Sequence, residues 1–361
     1  MLNWVHGSGL ALVAAVAGAA AQAQPAASGV TLATNPERVC LERRQDAEMN
    51  FDLSIRNDTP RAVTVRQLEA SVFDARGEMV ERRIVWQDAM SVLGPHRTVK
   101  PGELGILFNP FAFRTAREGV RIRYEAQFED APAAAVWVEP KSCVSKTRLI
   151  LPVTGRLMVF DGYDFLSHHR RSDFQVRADM RAFGVVDNWY RYGIDLIHID
   201  AEGKMFRGEG SRLEDWHAWG QPVRAPADGV VRDVRSDRPD NDALTENRWT
   251  PKRLSEDEMN TDGNYVLIDH GGEFSLLTHL RQGSVRVRAG ERVRAGQLVA
   301  EVGNSGSTHI PHMHYELRTP PGLGVRQVRS LQAWFHGLRV LGQPQTRGPM
   351  APNTGDVLIA R

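Results

Sequence analysis

His312-Met313-His314-Tyr315-Glu316-Leu317 (HMHYEL) decides how the C-terminal half of this chain is read. The run has β-type composition, and along a strand residues two apart point to the same face. Both imidazoles therefore project together while Met313 faces the other way. Two histidines on one face can share a metal ion, or one can bind it while the other handles protons. Just upstream, Gly303-Asn304-Ser305-Gly306-Ser307-Thr308 reads as a flexible turn that lets a peptide approach closely.

Outward from this run, strands follow in quick succession at Tyr265 to Ile268, Phe274 to Leu277, Val285 to Val287 and Leu298 to Val302. Two polar residues interrupt apolar stretches. Asp195 lies between Ile194 and Leu196-Ile197, where a carboxylate needs a cation or hydrogen bonds. His279 punctuates Leu276-Leu277-Thr278-His279-Leu280 in the same way. Residues 233–262 are polar and highly charged, which predicts a long exposed insertion acting as a wall of a substrate groove. Residues 321–361 are read as a C-terminal tail.

The N-terminal half predicts a second β-rich unit. Phe51-Asp52-Leu53-Ser54-Ile55 alternates apolar and polar residues as a half-buried strand does. Similar runs, separated by turns such as Asp58-Thr59-Pro60 and Ala75-Arg76-Gly77, continue to Val136-Trp137-Val138. The expectation is a β-sandwich over residues 24–146, with 24–36 as a short leader, in a mainly β protein. Cys40 and Cys143, the only cysteines, bracket this unit and predict a disulfide tying its first strand to its last. Closing a loop of about 100 residues is worth about 4.7 kcal/mol in the chain-entropy account. No cluster of His, Asp or Ser in this half looks catalytic.

Gly9 to Ala21 is apolar and ends in Ala21-Gln22-Ala23, an A-x-A cleavage pattern, so residues 1–23 predict a signal peptide. The n-region departs from the usual pattern in carrying no Lys or Arg. Export places the chain in the periplasm or cell envelope. Elsewhere no apolar run reaches the roughly 18 to 20 residues a membrane span requires, so none is expected in the mature chain. A formal charge of +1 gives no reason to expect a nucleic acid partner.

Six pieces, taken in order, resemble the lysostaphin-type (LytM-like) zinc metallopeptidases over roughly Val159 to Leu317. They are Gly193-x-Asp195; Gly220 to Val231 (GQPVRAPADGVV); Gly263 to His270 (GNYVLIDH); Thr278-His279-Leu280; Val287 to Leu298 (VRAGERVRAGQL); and Gly303-Asn304-Ser305-Gly306 with His312-x-His314. The resemblance implies an antiparallel β peptidase domain over residues 147–320, acting on peptide cross-bridges of bacterial peptidoglycan. It implies a Zn²⁺ bound by Asp195, His314 and one more histidine, with His279 and His312 beside the metal as catalytic residues.

One departure stands out. The family's first ligand lies four residues before the aspartate, as H-x-G-x-D, and here that position is Arg191. Arginine stays protonated and cannot bind zinc. The run Asp161 to Arg171 (DGYDFLSHHRR) offers His169 as the first ligand, with His168 as its substitute. His198 is a weaker choice, because an odd offset from Asp195 turns it to the opposite face. Arg170, Arg171, Arg177 and Arg191 could instead meet carboxylates of wall peptides. Arg191 also keeps open a second reading, a non-catalytic LytM-like scaffold that activates another wall hydrolase, and either reading admits a protein regulator. A carrier module resembling biotinyl or lipoyl domains fits less well, since no lysine stands on a matching hairpin.

Overall fold

The computed structural model describes residues 29–42, 47–143, 145–245, 250–326, 328–344 and 348–361. The expected signal peptide lies outside them. Among the described residues no helix is long and apolar enough to cross a membrane, and the architecture is almost entirely antiparallel β.

In the N-terminal part, Val30–Asn35, Asp52–Asn57 and Leu104–Phe108 form a three-stranded sheet. A five-stranded sheet contains Ala134–Val138, Arg121–Phe128, Val63–Phe73 and Met79–Trp86, with Thr98–Val99 paired to Val63–Phe73. Alternate residues of both sheets enter one apolar core: Leu53 and Ile55 from the first, Leu68, Ala70, Val72, Ile122 and Tyr124 from the second. Burying a large apolar side chain of this kind stabilises by about 1.5–3 kcal/mol, which is what the period-two pattern achieves. Cys40 and Cys143 are joined by a disulfide, where Cys40–Leu41 runs parallel to Lys141–Ser142. The leader expected over 24–36 is corrected in its described part. Val30–Asn35 is a paired strand, its Ala- and Thr-rich composition having masked the alternation of buried Val30 and Leu32.

The C-terminal part is built on a ten-stranded sheet. Its path runs Arg292–Val293, Gly229–Arg235, Tyr265–Asp269, Phe274–Thr278, Met313–Arg318, Ile194–His198, Gly155–Asp161, Val357–Ala360 and Leu338–Val340, with Ser330–Leu331 paired to Met313–Arg318. Residues 321–361, expected as a tail, thus supply strands of this sheet. The short run Val357–Ala360 pairs with Gly155–Asp161, and the Gly- and Pro-rich stretch before it hid the signal.

The three central strands are buried on both faces. On one face Ile194, Leu196, Leu277, Met313, Tyr315 and Leu317 pack against Val223, Val299 and Ala300 of the small sheet Pro222–Arg224 with Leu298–Glu301. By the same alternation Asp195, Thr278, His314, Glu316 and Arg318 share the other face.

The stretch 233–262 is more ordered than a plain exposed insertion. It begins inside Gly229–Arg235 and contains the helix Pro251–Glu256, capped by Thr250 and burying Leu254. Asn241 Nδ2 donates to the carbonyls of Asn304, Gly306 and Thr308 at 2.8, 3.0 and 3.1 Å. Asp240 accepts from the Asn304 amide at 2.7 Å. The charged stretch therefore braces the glycine-rich turn upstream of His312.

Candidate metal centre

Strand register assembles the site. Asp161, Asp195, His314 and Thr278 are successive cross-strand partners on four neighbouring strands, one polar row on one face. His314 Nδ1 lies 2.8 Å from Asp195 Oδ1, and its Nε2 lies 3.0 Å from Glu316 Oε1. Burial alone would make His314 less basic, but the two carboxylates outweigh it and raise its pKa to about 10. Burial likewise opposes ionisation of Asp195, yet the imidazoles of His169, His312 and His314 hold it well below the usual carboxylate range.

The chain from Asp161 to Arg171 folds back because the Asp161 carboxylate accepts the amides of His168 and His169, each at 3.2 Å. Two adjacent histidines then separate. The His168 side chain is 66% exposed with Nδ1 2.5 Å from Asp161, whereas that of His169 is 5% exposed. His169 Nε2 lies 3.7 Å from Asp195 Oδ2, and its ring meets those of His314 and Tyr190 edge-on at 4.8 and 4.9 Å. Its Nδ1 is buried and makes no hydrogen bond, although Asp161 Oδ2 is 3.1 Å away. Burial pushes its pKa down to about 4, leaving a neutral ring with a lone pair to offer. Gly193 keeps this space open. A Cβ there would stand 2.8 Å from His314 Cε1 and 3.1 Å from His169 Nδ1.

His279 and His312 face the same space with their rings fixed. His279 Nδ1–H donates to the Ser305 carbonyl at 2.8 Å and His312 Nδ1–H to that of Ile310 at 2.9 Å, since a carbonyl only accepts. On the neutral His279 ring this leaves Nε2 with a lone pair, and His312 Nε2 lies 3.4 Å from Asp195 Oδ1. Burial first, then the neighbouring imidazoles, hold His279 well below its ordinary pKa. His279 has φ of 58°, a conformation that bulky residues adopt where the surroundings over-determine it, commonly at functional sites. Its amide donates to Asp262 O and its carbonyl accepts from Gly303 N, both at 3.0 Å.

These groups line a cavity of about 480 Å³ together with Trp189, Tyr190, Thr261, Asp262 and Ile310. His169, Asp195, His279, His312 and His314 all reach it, with His168 at the exposed rim. His198 does not: its Nε2 donates to Thr154 O at 3.0 Å, on the other face. Nor do Arg170 and Arg191 offer cations to a peptide, because both are buried against the N-terminal part. Sequence reading missed Glu316, Arg318, Asp161 and Asp262. Glu316 had a usable signal, standing two residues beyond His314 and so on the same face. Arg318 Nε and Nη2 each reach a Glu316 oxygen at 2.8 Å, and against the cost of burial this guanidinium and His314 hold Glu316 down to about 2.

The donor set suits a metal. Ligand atoms of His279, His312 and His314 lie within 4.8 Å of one another, as do those of Asp161, His168, His169 and Asp195. Asp195 joins the two groups, 2.8 Å from His314 and 3.7 Å from His169. Ligands of one tetrahedral zinc ion with bonds of about 2.0–2.1 Å stand about 3.3 Å apart. Asp195, buried among His169 Nε2, His312 Nε2 and His314 Nδ1, is what such an ion would satisfy, and the Glu316–His314 contact is the outer support that orients a ligating ring.

Residues 214–327 match the family model described as Peptidase family M23. This stretch is an M23 peptidase domain. The match takes in His279, His312, His314, Glu316 and Arg318 and begins after Asp195. The chain is similar to the peptidoglycan DD-endopeptidase ShyA of Vibrio cholerae, 40% identical over 55 residues, covering 15% of this chain and 13% of that protein. It is also similar to the peptidoglycan DD-endopeptidase ShyC of the same organism, 31% identical over 118 residues, covering 31% of this chain and 22% of that protein. The chain thus spans under a quarter of the length of these relatives. Among solved structures, the catalytic domain of a point mutant of the prophage-encoded M23 protein EnpA from Enterococcus faecalis is 25% identical. It covers 37% of this chain and 71% of that one, with a TM-score of 0.23.

Proposed function

We propose that this chain is a zinc-dependent endopeptidase that hydrolyses peptide cross-links of bacterial peptidoglycan in the cell envelope. The observation that carries the reading is the convergence of His169 Nε2, Asp195 and His314 Nδ1 on one face of the central strands, beside two further histidines. His169, Asp195 and His314 would hold the ion. Bound there, zinc supplies Lewis acidity toward the scissile carbonyl and acidifies a water. His279, neutral and with Nε2 bare, accepts the proton that the attacking water gives up. With a proton on Nε2, His312, its ring fixed by Ile310 O, would donate to the carbonyl oxygen and stabilise the negative charge developing there. Trp189 and Tyr190 form an aromatic wall that limits water around the reacting bond. Names of relatives that include peptidoglycan DD-endopeptidase support the substrate class. The scaffold reading rested on Arg191 and weakens once His169 stands 3.7 Å from Asp195.

The test is digestion of purified peptidoglycan by the mature chain, followed by separation of the released muropeptides. Cross-linked dimers should fall and monomers rise with glycan strands intact, chelation should stop the change, and added Zn²⁺ should restore it. Unchanged cross-linking with zinc present would sink the proposal.

A further inference from the structure

The two stretches that deliver the ligands, around His169 and around Asp195, are both fastened to the N-terminal two-sheet part. Arg191, with a side chain 2% exposed, places Nη2 2.8 Å from Asp52 Oδ2 and 3.2 Å from Asp187 Oδ1, and Nη1 3.3 Å from Asn50 Oδ1. Asn50 Nδ2 returns a bond to the Arg191 carbonyl at 3.2 Å. Arg170, the residue next to His169, donates through Nη2 to the carbonyls of Met49 and Asn109, both at 3.1 Å. Gln175 Nε2 reaches Asp52 Oδ2 at 2.7 Å, and Asn188 Nδ2 holds the His169 carbonyl at 2.6 Å. Arg191 is bonded on both its side chain and its main chain, and two residues later Gly193 faces the His169 and His314 rings.

We propose that the N-terminal part is a structural component of the metal centre, and that Arg191 and Arg170 are positioning residues which, through Asp52, Asn50 and the carbonyls of Met49 and Asn109, hold His169 against Asp195. The proposal rests on the function given above. Its chemistry follows from the departure in sequence. Where the family pattern has a histidine, this chain has a guanidinium, which cannot ligate but can make several directed bonds. The ligand comes instead from the loop over residues 161–171, and a ligand on a loop must be fixed by its surroundings if the site is to be preorganised. The surface doing so belongs to residues Met49 to Asp52 and Asn109, none of which lines the cavity. The buried Arg191–Asp52 pair is weak evidence for a gain in stability, but its several directed bonds set one position for the strand entrance. A peptidase domain separated from the N-terminal part would lose the bonds to Met49, Asn50, Asp52 and Asn109 at once.

The test uses the full mature chain and measures Zn²⁺ affinity by competition with a chromophoric chelator, with the visible spectrum of the Co²⁺-substituted protein as a report on ligand geometry. Removing an outer support of a metal site lowers affinity by about 10–100-fold. Asp52→Asn keeps shape and removes the charge, and Asn50→Ala removes only the side-chain bonds to Arg191. Both should weaken Zn²⁺ binding, Asp52→Asn by at least about 10-fold, and both should alter the Co²⁺ spectrum. Leu68→Ala, a cavity in the N-terminal core away from this contact, should destabilise the fold while leaving affinity and spectrum native. If Asp52→Asn fails to fold, Asn50→Ala against Leu68→Ala decides. Native affinity and spectrum in the foldable variants would overturn the inference alone, as would equal weakening by Leu68→Ala. No Zn²⁺ binding by the unaltered chain would overturn the proposed function and this inference with it.

Discussion

Asp195→Ala is expected to leave the chain without its metal and to lower hydrolysis by about 10⁴-fold or more, the scale seen when one member of a cooperating catalytic unit is removed. The magnitude follows from how many groups the carboxylate serves. His314 Nδ1 at 2.8 Å, His312 Nε2 at 3.4 Å and His169 Nε2 at 3.7 Å all turn toward it. Alanine leaves three buried imidazoles without their common anion and the proposed ion without its only negative ligand. Elemental analysis for zinc and the initial rate of cross-link hydrolysis, on the same preparation, check it. A variant that keeps both its metal and its rate would contradict the ligand assignment.

Arg318→Leu is expected to cost stability on the order of 3–5 kcal/mol, the penalty for leaving a buried charge without its partner. The guanidinium is 1% exposed, grips both oxygens of Glu316 and lies 3.9 Å from Asp262 Oδ1. Burial already pushes Asp262 up to about 6 despite this neighbour. Without Arg318, Asp262 loses its nearby cation and Glu316 keeps only His314 as a partner, so burial acts against both carboxylates. Denaturant unfolding should show the loss, and Zn²⁺ affinity should fall by about 10–100-fold as the support of His314 loosens. Arg318→Lys should recover only part of either, since an ammonium cannot make the two-oxygen contact. Native stability in Arg318→Leu would show that Glu316 is held by something else.

How much of this was legible in sequence differs from residue to residue. The face shared by His312 and His314 was readable because a strand's period is geometric and needs no tertiary knowledge. The same logic places Glu316 on that face, yet a carboxylate on a strand looks like a solvated charge until Arg318 is seen buried beside it. Asp195 and His279 were visible as polar interruptions of apolar runs, because an isolated buried charge must be satisfied. The choice between His168 and His169 has no periodic signal, since both lie in a turn, and it is the turn around Asp161 that buries one ring and exposes its neighbour. Arg170 and Arg191 look in sequence like solvated surface charge that could meet a substrate carboxylate, whereas they point to a segment more than a hundred residues earlier. Nothing local in a sequence reports a contact of that range. The strand Val357–Ala360 was lost for a related reason, being short and paired with Gly155–Asp161.

The central claim is a metal centre built without the usual first histidine, and the most direct test is zinc per chain in the intact protein beside His168→Ala and His169→Ala. About one zinc is expected in the intact chain and in His168→Ala, whose ring is mostly exposed, and little or none in His169→Ala. No zinc in the intact chain after supplementation, or full retention in His169→Ala, would contradict it.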